Sequence, residues 1–452
     1  MITQALFTKE KNCTVLNGLT VDIKVEENYY SLPPECLFSM AARNNPKRSY
    51  LFVSKLIGKH IPVRPRVPFI TGFLLASRLA QALNITTDSG VGNDQVEQAA
   101  KALADDLKFD MESVIEKPIY HFPGQALFIG FAETATALGH SVFTSFTGNI
   151  HYLHTTRENL EGSFDTLYFT EDHCHAPDQR CLISNVELLK GNDLLVLIDD
   201  EITTGNTCLN IIKTIQNKFP QKKYAILTIL DWRSKAAQEK YSRMERELGL
   251  QIEVISLIKG SFYAQGDSPT IDTPLTAPGG FIPKVNVMHQ PMDFIYHPTS
   301  PGGSKDTYLG YTGRFGITVD NNRDLYREAK RIGHKLAQTR SGARTLCLGT
   351  GEFMYIPFLI AQFMGDGVWV QSTTRSPVHP CLKDDYAVKY AIPLEDPFRP
   401  DIKNFVYNIP PYYYDEVFIF WERSVQPEQV APLVLALKRL GITCITFVIF
   451  CR

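Results

Sequence analysis

Apolar runs of strand length alternate with stretches of helical period twice along the chain. In the first block the strand-like runs fall at 127–130, 150–154, 194–198, 225–230 and 252–258. Several are unbroken Val/Ile/Leu runs, the pattern of strands covered on both faces in a parallel sheet. Residues 133–140 and 206–219 between them read as helices. In the second of these, Cys208, Ile211, Ile215 and Phe219 recur on one face. This alternation predicts an α/β domain with a mostly parallel sheet. The second block repeats the rhythm. Residues 321–339 read as a helix with Leu325, Ala329, Ile332 and Leu336 on one face, and strands are expected at 345–348, 368–371, 417–420 and 444–450. Between the blocks, seven prolines from Pro269 to Pro301 and two Gly-Gly pairs mark a connector with little regular structure. We therefore expect an N-terminal extension over 1–45, a first α/β domain over 46–260, a connector over 261–307 and a second α/β domain over 308–452.

The two blocks also resemble each other residue by residue. Phe128-Ile129-Gly130 matches Cys347-Leu348-Gly349, each followed by a turn and a helix. Tyr152-Leu153-His154-Thr155-Thr156-Arg157 matches Val370-Gln371-Ser372-Thr373-Thr374-Arg375. Thr155 lies 25 residues after Gly130, and Thr373 lies 24 after Gly349. The run 193–200 can be laid on 415–422. A duplicated α/β core follows, with two unrelated sheets of generic rhythm as the alternative.

Composition narrows the function classes. A net charge of −2 gives no bulk attraction to nucleic acid or to an acidic membrane, and no helix-turn-helix or basic stripe appears. The nine cysteines form no Cys-x-x-Cys pair, which fits reduced thiols. No apolar run reaches the eighteen or so residues of a membrane span, and the first residues lack a signal-peptide core. A soluble, cytoplasmic protein acting on small molecules is expected.

The densest chemistry lies in Leu197-Ile198-Asp199-Asp200-Glu201-Ile202-Thr203-Thr204-Gly205-Asn206-Thr207. A buried strand delivers carboxylates to a Thr/Gly-rich loop that opens a helix. A helix N-terminus leaves backbone N–H groups unpaired and partly positive, so it suits phosphate. Gly205 allows close backbone approach. The hydroxyls of Thr203, Thr204 and Thr207 can donate to phosphate oxygens. Asp199 and Asp200 can accept from ribose hydroxyls, directly or through Mg²⁺. The earlier turn, Gly130-Phe131-Ala132-Glu133-Thr134, also follows a strand and opens a helix. Taken alone, it fits a plain helix cap equally well.

The 195–207 segment resembles the phosphoribosyl-pyrophosphate signature of type I phosphoribosyltransferases. Glu201 departs from it, standing where that family usually has an apolar residue or Ser. The resemblance implies that the Gly130 turn holds pyrophosphate, that Arg157 neutralises charge on the leaving group, and that the polar stretch 158–180 is a mobile hood. His173 or His175 would then serve as proton donor or pyrophosphate ligand; a metal site with Cys174 and Cys181 is the rival reading. The whole chain resembles a bacterial family that joins an orotate-phosphoribosyltransferase-like domain to a C-terminal domain named for a Thr-Arg-Ser-Pro motif, and that is associated with tellurite-resistance gene clusters. The matching residues are Ser54–Pro62, Gly130–Gly139, Glu171–His175, Asp199–Thr207, Gly351–Pro357 and Thr374-Arg375-Ser376-Pro377. It implies a Mg²⁺-dependent transferase that moves ribose 5-phosphate from phosphoribosyl pyrophosphate to a nitrogen base, toward a nucleoside-like stress metabolite. Lys55, Lys59 and His60 are added as phosphate or substrate contacts. Glu352, Arg375 and Ser376 are added as a second site or as completion of the first. A non-enzymatic sensor of phosphoribosyl pyrophosphate or a nucleotide is the alternative function. The repeat is compatible with a homodimer or with replacement of one.

Overall fold

A computed structural model describes residues 9–16, 18–43, 48–85, 92–169, 179–267, 283–292, 294–299 and 306–451. Its largest sheet has a core of five parallel strands. Across the sheet these run Gln251–Gln265, Lys223–Asp231, Leu194–Ile202, Tyr120–Gly130 and Phe146–His154. Numbered along the chain, that order is 5-4-3-1-2. The chain first steps one way from Tyr120–Gly130 and then the other, leaving a topological switch point between Tyr120–Gly130 and Leu194–Ile202. Loops diverge there at the strands' carboxyl ends and open a crevice.

All five strands expected in the first block are present, each extending beyond its apolar run. The first five residues of Leu194–Ile202 are fully buried, as strands sandwiched between helices must be. The helix expected over 133–140 begins later, spanning Thr136–Thr144. Residues 132–135 instead form a turn, closed by Ala135 N donating to Phe131 O at 2.9 Å. Glu133 thus sits in the loop and not on the helix.

The second sheet runs Lys284–His289, Cys444–Ile449, Glu416–Trp421, Thr345–Gly349 and Val368–Ser372, all parallel. Its last four strands repeat the 4-3-1-2 order of the first sheet. The ladders confirm the duplicated register. Gly130 pairs with His154 and Ile198, while Gly349 pairs with Ser372 and Leu348 with Ile419. Thr155 N donates to Gly130 O at 2.9 Å, and Thr373 N to Gly349 O at 3.1 Å. The Thr155 hydroxyl accepts from Ala132 N, and the Thr373 hydroxyl accepts from Gly351 N, both at 2.8 Å.

Two features differ from the sequence expectation. The 261–307 stretch is not merely irregular: it supplies the edge strand Lys284–His289 to the second sheet, and Ile295–Tyr296 pairs with Tyr308–Leu309. The halves are also not separate bodies. One buried core runs from Phe128 and Leu138 into Phe358 and Val370, and Ile317–Thr318 adds an antiparallel edge to the first sheet. Strands Lys9–Leu16 and Leu19–Asn28 pair antiparallel and extend the opposite edge. Helices Thr136–Thr144 and Tyr355–Gln362, equivalent in the two copies, meet through a buried polar cluster. The His140 and Tyr355 rings stack at 3.5 Å, and the Thr144 and Tyr355 hydroxyls lie 2.8 Å apart. No helix among the described residues is long and apolar enough to cross a membrane.

Candidate active site

The crevice at the first switch point is a cavity of about 410 Å³. Its floor is the Asp199–Thr207 strand end and loop, and one wall is the Phe131–Thr134 turn. The two loops are tied together, the Thr134 hydroxyl donating to Asp200 Oδ1 at 2.7 Å. Asp200 N donates to Asp199 Oδ1 at 2.9 Å, which fixes the adjacent carboxylates relative to each other. Gly205 stands at the N-cap of helix Asn206–Lys218 with φ +70°. A Cβ there would lie 2.2 Å from the Tyr241 hydroxyl, which donates to Gly205 O at 2.8 Å. Only glycine fits both the left-handed backbone and the packing. The helix therefore starts at the crevice floor, and a helix N-terminus is a ready anion site.

In the opposing turn, Ala132 N is spent on Thr155 and Ala132 O accepts from Gln179 Nε2 at 2.8 Å. The Glu133 and Thr134 amides have no protein acceptor among the described residues. The Ala132–Glu133 peptide is cis. The Glu133 carboxylate is buried and lies 3.2 Å from Lys59 Nζ and 3.4 Å from Arg375 Nε. Burial alone would raise its pKa, but the charges of Lys59, Arg157 and Arg375 outweigh it and hold the carboxyl below its ordinary value.

Of the residues expected from sequence, Asp199, Asp200, Thr203, Thr204, Gly205, Thr207, Phe131, Ala132, Glu133, Thr134, Arg157, His60, Arg375 and Ser376 all line this one cavity. Asn206 caps the cluster as the first helical residue, its side chain accepting from Lys240 Nζ at 3.2 Å. Gly130 ends the strand beneath the turn. Lys59 is present indirectly: fully buried, it holds Glu133 and donates to Gly351 O at 2.9 Å. Lys55 is elsewhere. Its ammonium donates to Glu35 O and it lines a separate cavity beside the N-terminal strand pair. Glu352 is not in the crevice either. Its carboxylate accepts from the Thr156 hydroxyl and from Arg157 N, both at 2.6 Å, so it braces the strand end that carries Arg157. His173, Cys174 and His175 lie outside the described residues. Cys181 is buried in the strand Gln179–Ile183.

Several lining residues carried no sequence signal. Phe52 lies in, and Arg43 and Arg48 lie beside, the paired strands Phe38–Ala42 and Tyr50–Ser54, and Gln179 starts the strand Gln179–Ile183. Arg48 binds Glu201 at 2.6 Å, which gives the extra carboxylate a partner. His60 is buried, with Nε2 lacking a partner among the described residues, and burial, together with the charges of Lys59 and Arg43, pushes its pKa down to about 3. It is thus a neutral imidazole at the crevice wall.

Residues 37–261 match the protein family described as phosphoribosyl transferase, and residues 311–437 match the TRSP domain described as C-terminal to it. The chain belongs to this phosphoribosyltransferase family. The Thr374–Pro377 motif of its TRSP domain reaches across to line the first domain's crevice. Among solved structures, an adenine phosphoribosyl transferase from Trypanosoma brucei, in complex with AMP, pyrophosphate and ribose-5-phosphate, is 15% identical, with a TM-score of 0.22. That match covers 30% of this chain and 57% of the other, so the chain spans little more than half of that relative. No curated protein matches.

Proposed function

We propose that this phosphoribosyltransferase moves the ribose 5-phosphate group of phosphoribosyl pyrophosphate onto a nitrogen base. The observation that carries this reading is the pair of loops joined at the switch point, an anion-binding helix start on one side and a turn with unspent amides on the other. The 5-phosphate would sit at the Thr203–Thr207 loop and the Asn206 helix start, with the ribose hydroxyls on Asp199 and Asp200. Pyrophosphate would lie against the Glu133 and Thr134 amides and Arg157, which neutralise charge as the glycosidic bond breaks. Mg²⁺ typically takes one or two carboxylates and completes its shell with substrate phosphates and water. Asp199 and Asp200 fit that donor set, and among the described residues no group of three or more acidic, His or Cys side chains forms a protein-only cage. When bound, the ion would offset negative charge on the pyrophosphate.

Arg375, Ser376, His60 and Arg43 also line the crevice and would face the acceptor. Pyrophosphate release from phosphoribosyl pyrophosphate, measured with Mg²⁺ against a panel of bases, tests the reading. Release should require both an acceptor and the two aspartates, and Asp199→Asn/Asp200→Asn should lower it by at least about a hundredfold, in the range found when a preorganised charge contact is lost. Tight binding with no release under any acceptor would turn the reading to a sensor; no binding at all would end it.

A further inference from the structure

The second sheet has a switch point of its own, between Thr345–Gly349 and Glu416–Trp421, and a second crevice opens at its carboxyl end beside Gly351, Trp421 and Arg423. We propose that this crevice is a separate binding site for an uncharged nitrogen heterocycle, a free nucleobase or its nucleoside. Three residues lining it carry buried polar atoms with no hydrogen-bond partner among the described residues: Trp421 Nε1, Arg314 Nε and Asn404 Oδ1. These residues are 3%, 3% and 5% exposed. Buried polar atoms in folded proteins are nearly always paired, so three around one crevice call for an occupant. The set asks for two acceptors and one donor, the pattern of ring nitrogens and carbonyls beside an N–H.

The walls fit a flat ring. Phe398 lines the crevice with the Arg423 guanidinium 3.7 Å from its ring centroid, and Trp421 meets it edge-on. They do not fit a phosphate. Where the first copy has its Asp-Asp/Thr-Gly loop, this copy has Trp421-Glu422-Arg423-Ser424-Val425. The lining carries five carboxylates against three guanidiniums. Arg314 is already committed to Glu422, at 2.8 and 3.0 Å. Glu133 and Arg375 line both crevices, so the ring could belong to the acceptor on its way to the first site or to a separate effector.

Equilibrium dialysis of the full Asp199→Asn/Asp200→Asn chain against adenine, hypoxanthine, uracil and cytosine and their nucleosides, with AMP and UMP as phosphorylated comparisons, tests the site without depending on turnover. At least one uncharged ligand should bind saturably without competition from the nucleotides. Trp421→Phe, which keeps the ring and removes the N–H, and Asn404→Leu should each weaken binding about tenfold. Absence of binding by every base and nucleoside, binding that both substitutions leave unchanged, or ordered water alone on the three atoms in crystals soaked with the bases would each overturn the proposal. With the aspartates intact, a higher acceptor KM at constant kcat in Trp421→Phe identifies the acceptor as the occupant. An unchanged KM with loss of a base's effect on turnover identifies an effector. Base binding with no pyrophosphate release would fail the transferase reading and leave this one standing.

Discussion

At the residue scale the first crevice rests on a few positions with no substitute. Gly205 combines a positive φ with a Cβ position already filled by Tyr241. Gly205→Ala should destabilise the chain by about 1–3 kcal/mol through the left-handed backbone and the clash together. It should also weaken phosphoribosyl pyrophosphate binding more than a remote substitution of equal stability cost, which denaturant unfolding and ligand titration on the same variants can separate. Glu133 is the second such position. Glu133→Gln leaves Lys59 buried without its closest counter-charge, and breaking a buried pair from one side costs about 3–5 kcal/mol. The sign with pH follows from its depressed folded pKa. The carboxylate's contribution is complete above the unfolded pKa of about 4.3 and is lost as pH falls through the lower folded value. The stability gap between wild type and Glu133→Gln should therefore hold at neutral pH and close in acid. A gap that widened on acidification would contradict the ionised pair.

At the element scale the two copies exchange supports. Glu133 of the first glycine turn meets Arg375, at the second copy's Thr-Thr-Arg strand end, and Glu352 of the second turn meets Thr156 and Arg157 of the first. Glu352 is therefore expected to act as a positioning residue. Glu352→Gln weakens two short, charge-assisted contacts and should lower kcat about tenfold with phosphoribosyl pyrophosphate affinity nearly kept; a lower melting temperature at unchanged kcat would reduce Glu352 to a structural role. The sequence made the copies legible because β-strands buried on both faces are written as Val/Ile/Leu runs and because the Asp199–Thr207 loop is a local feature. It left the exchange illegible, since a glutamate in a turn does not say which strand end it will brace. The 54–62 segment shows the same limit. Lys55 and Lys59 look alike in sequence, but the turn at Gly58, with φ +64°, lies between a lysine that reaches Glu35 O and one buried against Glu133. Arg43 and Arg48 were invisible for the same reason: tertiary packing alone brings these two arginines to the crevice.

At the scale of the whole molecule, the reciprocal contacts have the form of an isologous interface, in which each partner offers the other the same surface. Here both partners lie in one chain, and the core between them is continuous. The first half should therefore depend on the second for more than Arg375 and Ser376. Without the second half, helix Thr136–Thr144 would turn the buried face that carries His140 and Thr144, now against Tyr355 and Asn322, toward water, and the buried Phe69 ring would lose Tyr355, at about 1.5–3 kcal/mol for each large side chain whose burial depends on the other half. Several such losses equal the whole stability of an ordinary domain. Residues 1–267 expressed alone should aggregate or bind hydrophobic dyes. Residues 1–267 and 283–452 produced together as separate chains should assemble one-to-one and recover pyrophosphate release. Size-exclusion chromatography with light scattering, followed by the release assay on the isolated peak, reads both outcomes. A soluble, active first half would show that the second copy is an appendage. An inactive half made active by its partner would show that the catalytic crevice is the product of both.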